Sequence, residues 1–309
     1  MKHWAGALLA GLALFGLSGC SMAKMAADST VAVMIAGKPA VDRESDLSLA
    51  RGSAEGNLMM MEGLREATPE NKELWQLMAE AYGGYTFGFV EDDLESIEED
   101  TDEWEYTANR AYELYRRGRD AAHRRLSLEH GDALPNLISG TDGAVDDAVS
   151  GVLGVDDVPA LFWFAQCWSS MINLRQEDPV EIMSLGRVER LMERVLALDE
   201  TFMDAGPHLF MAVLKSAAPP ELSDETKVAE SHFDRAEELT GGQNLMIRVF
   251  RARYLDVARR DRAAFTATLE GVLESDPRNS QSHVLVNTLA QRRARRYLSQ
   301  VDDLFPPES

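Results

Sequence analysis

Apolar residues recur every three or four positions from Ser45 to the end of the chain, with proline and glycine between the runs. This spacing predicts amphipathic helices. Helix starts are marked at Thr68-Pro69, Asp157, Asp178-Pro179 and Ser223-Asp224, where a capping residue stands beside a proline or an acidic residue. No run alternates apolar and polar residues over a strand's length, so the pattern predicts an all-α fold.

Three helices share one spacing of apolar residues, at positions 0, 4 and 7. The three sets are Val188, Met192 and Val195; Ala229, Phe233 and Ala236; and Phe265, Leu269 and Val272. Together with Trp75 and Tyr82, this favours a degenerate tetratricopeptide (TPR)-like array of helical hairpins around a central apolar helix. Any amphipathic helix can show the same spacing, and this alternative stays open.

The central helix of this array is predicted at residues 158–174, a stretch without charge that contains four large aromatic side chains. Its apolar residues cover most of the helix circumference, so neighbouring helices must enclose it. One interpretation is a plain core helix. The other is that a neutral polar sector, with Phe162, Gln166, Ser169 and Asn173, lines an internal cavity or channel.

Residues 81–105 combine aromatic residues, glycines and a strongly acidic run. Tyr85 and Phe89 share a helical face and are the next candidates for lining a cavity. Gly84 and Gly88 disfavour a helix unless another helix approaches closely. The acidic run lacks the spacing of a calcium loop, so it predicts a solvated surface that can steer a basic partner.

The N-terminus resembles a bacterial lipoprotein signal, with apolar residues from Trp4 to Leu17 and then Ser18-Gly19-Cys20. The predicted divisions are a signal peptide at 1–19, a lipidated tether at 20–44, a helical domain at 45–305 and a tail at 306–309. A run of about 14 apolar residues is shorter than the roughly 20 that span a bilayer. Ser21 after the lipidated Cys20 favours an outer-membrane lipoprotein that faces the periplasm.

Composition narrows the possible functions. The formal net charge of −21 disfavours binding to nucleic acid. Cys167 has no disulfide partner once Cys20 is lipidated. No motif for a metalloprotease, a nucleotide-binding loop or a nucleophile elbow is present, so the sequence predicts no enzyme, catalytic residue, cofactor or metal. His208 is interpreted as an interior residue.

Arg293 falls within the apolar sector of the last long helix. A buried arginine needs a carboxylate, and Asp302 and Asp303 are the nearest in sequence. This pattern predicts an ion pair between repeats; an anion site for a ligand carboxylate is the alternative.

Several segments resemble the TatT lipoproteins associated with tripartite ATP-independent periplasmic (TRAP) transporters. These are "VPALFWFAQCWSSMINL", "LALDETFMDAGPHLF", "AESHFDRAEELTGGQNLM", "LAQRRARRYLSQVDDLF" and "AYGGYTFGFVEDD". The resemblance implies a TPR-like helical body, a homotrimer, a pore through each protomer and apolar organic acids as ligands. It also implies that the partner is the periplasmic substrate-binding protein of such a transporter.

The sequence therefore predicts a non-enzymatic accessory lipoprotein of a TRAP-type transporter. It would dock a substrate-binding protein and possess a pore or cavity for an apolar or organic-acid ligand. The alternative is a TPR scaffold lipoprotein for outer-membrane or envelope assembly, which would bind a peptide in a groove between repeats.

Overall fold

A computed structural model describes the backbone of residues 4–217 and 223–306 and the side chains of residues 22–217 and 225–306. The lipidation site predicted at the Cys20 side chain and residues 307–309 of the predicted tail lie outside these limits. The described residues form helices without a strand. The all-α prediction is confirmed, whereas the TPR-like repeat arrangement stays a prediction.

The helices follow one another through short turns. They are α1 (Trp4–Asp42), α2 (Leu47–Ala67), α3 (Lys72–Tyr85), α4 (Glu91–Leu94), α5 (Asp102–His130), α6 (Asp142–Gly151), α7 (Val158–Asn173), α8 (Pro179–Met183), α9 (Leu185–Leu198), α10 (Phe202–Ser216), α11 (Ser223–Thr240), α12 (Leu245–Phe250), α13 (Arg262–Glu274), α14 (Val284–Ser299) and α15 (Val301–Leu304). Two π-helical turns, π1 (Thr86–Val90) and π2 (Arg251–Asp256), continue α3 and α12. Three single 3-10 turns lie at Gly131–Ala133, Val155–Asp157 and Pro277–Asn279.

Side-chain caps fix most of the helix starts. The Asp46, Thr101, Thr141 and Asp261 side chains each accept a hydrogen bond from a backbone N–H of the first turn that follows. The start predicted at Thr68-Pro69 is three residues too early, because Asn71 caps α3 by accepting from the Leu74 N–H at 2.8 Å. Thr68 instead follows the last residue of α2.

The core is centred on α7, which packs against α3, α5, α9 and α10. All nine residues of the three spaced sets are fully buried. The segment predicted as a tether is helical through Asp42, and it packs on α2 and α14 with Val31 only 1% exposed. Part of that segment therefore belongs to the body of the protein.

No helix within the described residues is both long and apolar enough to cross a bilayer by itself. The segments Asp142–Gly151 and Val155–Asn173 pass that test only as a pair bent by 113°. Most of α7 is buried inside the protein. Its apolar composition is therefore explained by its position in the core.

α10 begins with a left-handed turn. Met203, Asp204 and Ala205 have φ values of 50°, 55° and 64°, although none of them is glycine. Each such residue costs about 1–2 kcal/mol, with aspartate among the better tolerated. The next residue, Gly206, lies against the Phe162 ring, where a Cβ atom would come within 3.0 Å of two ring atoms.

Glycines let α3 and α5 approach α7 closely. A Cβ atom on Gly83 would lie 2.6 Å from two ring carbons of Trp163, and one on Gly118 would lie 2.9 Å from the Cys167 sulfur. Of the two glycines singled out from the sequence, Gly84 has nothing within 4 Å of a Cβ atom, whereas a Cβ atom on Gly88 would lie 3.2 Å from Leu289 Cδ1 of α14. The approach to α7 is therefore permitted by Gly83, and the glycine at 88 is the one of the predicted pair that another helix approaches.

The different surroundings of Gly83 and Gly84 predict opposite effects of substituting these two neighbours. Gly83→Ala should lower the free energy of unfolding by about 1–3 kcal/mol, because the rigid indole must move away from the new methyl group. Gly84→Ala should raise it by about 0.5–1 kcal/mol through higher helix propensity. Urea denaturation measures both, and equal effects of the two substitutions would contradict the packing described.

Candidate functional site

Most of α7 is enclosed, and its neutral polar residues are the exception. Eleven of its residues are buried, namely Val158, Ala160, Leu161, Phe162, Trp163, Phe164, Ala165, Cys167, Trp168, Met171 and Ile172. Gln166, Ser169 and Ser170 lie in the middle of the same helix but remain partly exposed. Gln166 Nε2 lies 3.5 Å from the Ser170 oxygen, at the limit of a hydrogen bond. One side of the core helix is therefore less tightly covered than the others.

Two of the predicted lining residues lie in different surroundings. The Phe162 ring packs edge-on against Trp163 and Phe202, with centroids 5.4 and 5.2 Å apart, and is only 5% exposed. Asn173 is exposed at the C-terminal end of α7, where its Oδ1 accepts from Gln176 Nε2 at 2.7 Å. Phe162 is thus part of the core packing, and Asn173 is at the surface.

The indole N–H of Trp163 is an unusual polar group, because it is buried and unpaired among the described residues. The Trp163 side chain as a whole is 7% exposed. A buried donor of this kind normally pairs with protein, water or a ligand, because leaving it unpaired costs about 1–3 kcal/mol. The interior next to α7 therefore has an unused donor as well as partly exposed hydroxyl and amide groups.

Tyr85 and Phe89 lie among cationic side chains rather than in a purely apolar setting. Their rings are 5.9 Å apart. The Tyr85 hydroxyl donates to Glu55 Oε1 at 2.5 Å and accepts from Arg110 Nη2 at 2.8 Å. Arg51 and Arg292 lie 5.3 and 6.0 Å from the Phe89 ring centre. These contacts join α2, α5 and α14 to the end of α3.

The Arg293 side chain lies between π1 and Phe250, the last residue of α12, which directly precedes π2. The Arg293 guanidinium lies 4.2 Å from the ring centre of Phe87 in π1 and 5.9 Å from that of Phe250. Its Nη2 donates to the Phe87 carbonyl oxygen at 2.7 Å. The Phe87 and Phe250 rings themselves meet edge to face at 5.8 Å. Single π-turns inside helices are frequent at functional sites, so this arrangement is a candidate centre.

The carboxylates around Arg293 come from the acidic run, far away in sequence. Asp92, 3% exposed, accepts from Arg293 Nε at 3.2 Å and Arg296 Nη2 at 2.9 Å and also pairs with Arg292. Glu95 pairs with Arg296 and lies 3.7 Å from Arg293 Nη1. Desolvation opposes the charge of Arg293, but the surrounding acidic groups keep its pKa above the ordinary value.

The ion-pair partners predicted for Arg293 were therefore wrong. Asp302 is 82% exposed at its side chain and pairs with Arg262 at 2.6 Å, and Asp303 is also exposed. Both follow α14, whereas Arg293 is directed into the core between the π-turns. Proximity in sequence was misleading because α4 supplies carboxylates at the buried side of the helix.

A third carboxylate, Glu91, lies between this centre and α5. Glu91 accepts a short hydrogen bond from the Tyr115 hydroxyl. Desolvation raises the pKa of Glu91, although the charge of Arg293 opposes this rise. Desolvation and the Glu91 charge raise the pKa of Tyr115 far above its usual value, and the Ser170 hydroxyl also interacts with Tyr115. Polar contacts thus extend from the α14 arginines to the partly exposed side of α7.

The histidine in "GPHLF" belongs to a separate cluster. His208 is 8% exposed; its Nδ1 lies 2.8 Å from His232 Nδ1 and its Nε2 lies 2.9 Å from Glu200 Oε2. Glu200 also accepts from Arg235 at 2.6 Å. Burial, followed by the charge of His208, lowers the pKa of His232 to about 4. His208 is thus an interior residue with two partners.

Reactive or metal-binding groups are not assembled at the α7 centre. Burial raises the pKa of the Cys167 thiol well above its usual value, so the thiol stays protonated and acts as a small apolar side chain. Among the described residues, no group of three or more histidine, cysteine, aspartate or glutamate side chains is arranged to hold a metal ion.

These features define an all-helical protein with an enclosed core helix, α7, and a buried cluster of ion pairs around Arg293. Residues 43–305 match the family described as "TRAP transporter T-component", and the chain belongs to this family. It is also similar to an uncharacterized protein of Treponema pallidum (strain Nichols). The two are 23% identical over 263 residues, which cover 85% of this chain and 81% of the other.

Membership of this family indicates an accessory role in TRAP transport and a membrane-associated or periplasmic location. The family is a transport component and is not known for enzymatic activity. The predicted family relationship is therefore confirmed.

The burial of Asp92 predicts an unequal pair of substitutions. Asp92→Ala should lower the free energy of unfolding by about 3–5 kcal/mol, because Arg293 would remain buried without its carboxylate. Asp93→Ala is the matched control: its carboxylate is 43% exposed and pairs with Arg51, so the loss should be below about 1 kcal/mol. Denaturant unfolding followed by circular dichroism measures both, and similar losses would contradict a structural role for Asp92.

Proposed function

We propose that the protein is a lipid-anchored accessory of a TRAP-type transporter, which docks the periplasmic substrate-binding protein and holds an apolar organic acid beside α7. Its membership of the T-component family supports the transport role. The partly exposed polar side of a core helix supports the ligand-holding part of the proposal.

The proposed ligand space is bordered by Gln166 and Ser169. A residue in the middle of a wrapped helix keeps partial exposure only if its side is incompletely packed. Apolar walls on either side would take a hydrocarbon body, while the Trp163 N–H and the neutral hydroxyl and amide groups would bind the polar end. We assign Phe162 to the wall behind this space and Asn173 to its outer end. Tyr85 and Phe89 remain secondary candidates.

The proposed docking surface is the outward half of the acidic run. Glu91, Asp92 and Glu95 are used within the protein, whereas the carboxylates of Glu98, Glu99, Asp100, Asp102, Glu103 and Glu105 are exposed. Such a patch accelerates the encounter with a basic partner surface. We propose that the substrate-binding protein presents that surface.

The proposal also covers the attachment of the protein to the membrane and its oligomeric state. Cys20 would carry the lipid that holds the protein at the outer membrane facing the periplasm, and the protomers would associate as a homotrimer. Metabolic labelling with palmitate should mark the wild-type protein and leave Cys20→Ser unlabelled. Sedimentation of the delipidated protein measures the number of subunits, and a stable monomer would oppose the trimer.

Filling the space beside α7 should block ligand binding. Ser169→Phe should weaken the binding of cis-parinaric acid, a fluorescent apolar carboxylic acid, by about tenfold, equivalent to about 1.4 kcal/mol. Energy transfer from tryptophan to the bound probe measures the affinity. Ser231→Phe, at an exposed position of α11, adds the same ring elsewhere and should change nothing. Unaltered affinity in a folded Ser169→Phe protein would reject the ligand space.

Removing charge from the docking surface should slow association with the binding protein. Changing Glu98, Glu99, Asp102 and Glu103 to amides should lower the association rate constant about tenfold at low salt, with little change at high salt. A matched control changes four other exposed carboxylates to amides, namely Glu70, Glu73, Glu270 and Glu274. Surface plasmon resonance against the co-encoded substrate-binding protein measures the rates. Equal slowing by both sets would show that only net charge matters.

A further inference from the structure

A polar cleft lies where α10, α11 and α14 begin or end. Its volume is about 580 Å³, and its walls are formed by Thr201, Asp204, Ala205, Glu238, Leu239, Thr240, Gly241, Gln243 and His283. The cleft does not include Gln166 or Ser169, which border the proposed organic-acid space. It is therefore separate from that space.

One wall is the left-handed turn at the start of α10. The backbone at Met203, Asp204 and Ala205 is held in a conformation that L-residues rarely adopt. The Asp204 side chain is 53% exposed, and its Oδ2 faces His283. The turn thus places a carboxylate on the rim of the cleft, at a position where aspartate and asparagine are better tolerated than other residues.

The floor of the cleft contains a buried imidazole, one nitrogen of which makes no hydrogen bond within the described part of the chain. His283 is 6% exposed, and its Nδ1 lies 2.6 Å from the Ser280 hydroxyl and 3.1 Å from that of Ser282. When these hydroxyls donate to Nδ1, the ring proton is on Nε2. That nitrogen lies 3.1 Å from Asp204 Oδ2, but the geometry is not that of a hydrogen bond and Nε2 has no hydrogen-bond partner among the described residues. It remains a donor for an occupant of the cleft.

The remaining walls supply mostly acceptors. The Thr201 hydroxyl donates to Asp199 at 2.7 Å and the Thr240 hydroxyl donates to the Ala236 carbonyl at 2.8 Å, so each hydroxyl oxygen offers a lone pair to the cleft. Glu238, whose side chain is 72% exposed and pairs with Arg235 at 2.7 Å, adds a second carboxylate to the lining. A ligand complementary to these groups must be rich in donors and positively charged.

We propose that this cleft binds a small organic cation in which a primary ammonium group is carried next to a hydroxyl group. The ammonium donates to Asp204 and Glu238, and the hydroxyl oxygen accepts from His283 Nε2. Leu239 and Ala205 contact the carbon chain between them. This site goes beyond the proposed transport function, and neither depends on the other.

The test uses two probes that differ in a single group. 1-Amino-1-deoxysorbitol has a primary ammonium beside hydroxyl groups, and sorbitol has a hydroxyl group in place of the ammonium. Isothermal titration of the full-length protein at pH 7.5 should show the amino compound binding at least about tenfold more tightly than sorbitol.

Three variants assign the binding to the cleft. Asp204→Asn keeps a residue that tolerates the left-handed turn but removes the charge, and it should weaken the amino compound about tenfold. His283→Gln should weaken it by a similar factor. Asp302→Asn is the control, because it lies beyond the opposite end of α14, a 16-residue helix about 24 Å long. Circular dichroism and thermal unfolding establish that each variant is folded.

Three outcomes would overturn the proposal. The first is no binding of the amino compound, which would leave Asp204 and His283 as a structural ion pair only. The second is equal binding of sorbitol, and the third is an affinity unchanged by Asp204→Asn. None of these results bears on parinaric acid binding or on docking, so failure of this site is distinguishable from failure of the proposed transport function.

Discussion

The ion pair between Arg293 and Asp92 is the constraint on which the interior depends, since it joins residues that are 201 positions apart in the chain. A guanidinium that is 1% exposed is tolerable only if carboxylates, a carbonyl oxygen and aromatic faces surround it. The Phe87 carbonyl and the Phe87 and Phe250 rings provide those partners. Phe87 of π1 and Phe250, which directly precedes π2, are therefore part of the surroundings that this charge requires, and the contacts of Arg293 with Phe87 fix α14 against π1.

The same constraint divides the acidic run into two parts with different roles. Asp92 and Glu95 balance the arginines of α14, and Glu91 and Glu95 accept hydrogen bonds from Tyr115 and Tyr297. Those from Glu98 onward extend into solvent and contribute to the net charge of −21. Because Tyr115 also contacts Ser170, the inner part holds the polar side of α7 in a fixed setting. The charges of this inner part are compensated by partners within the protein.

Periodicity was sufficient to predict the helices and the enclosed position of α7. Apolar spacing reports which side of a helix is buried, and each residue of the three spaced sets is indeed inside. Spacing does not report which partner lies opposite. The carboxylates of Arg293, the close approach at Gly83 and the packing of Phe162 all depend on contacts between distant segments. The neutral polar sector of α7 could be predicted from the sequence. The unpaired Trp163 N–H and the left-handed turn could not, because the residue types alone indicate neither a missing hydrogen-bond partner nor a positive φ.

The left-handed turn also connects the polar cleft to the core helix. Asp204 lies on the rim of the cleft. Two residues later, Gly206 allows the Phe162 ring to pack against the backbone. Phe202, two residues before Asp204, packs on the same ring. Residues 202–206 therefore contribute to the polar cleft and also pack against the Phe162 ring of α7. A side chain at Gly206 would force the ring away, so the close contact and the strained turn support each other. The strained turn therefore fixes two things at once, the position of the Asp204 carboxylate on the cleft rim and the backbone against which the Phe162 ring packs.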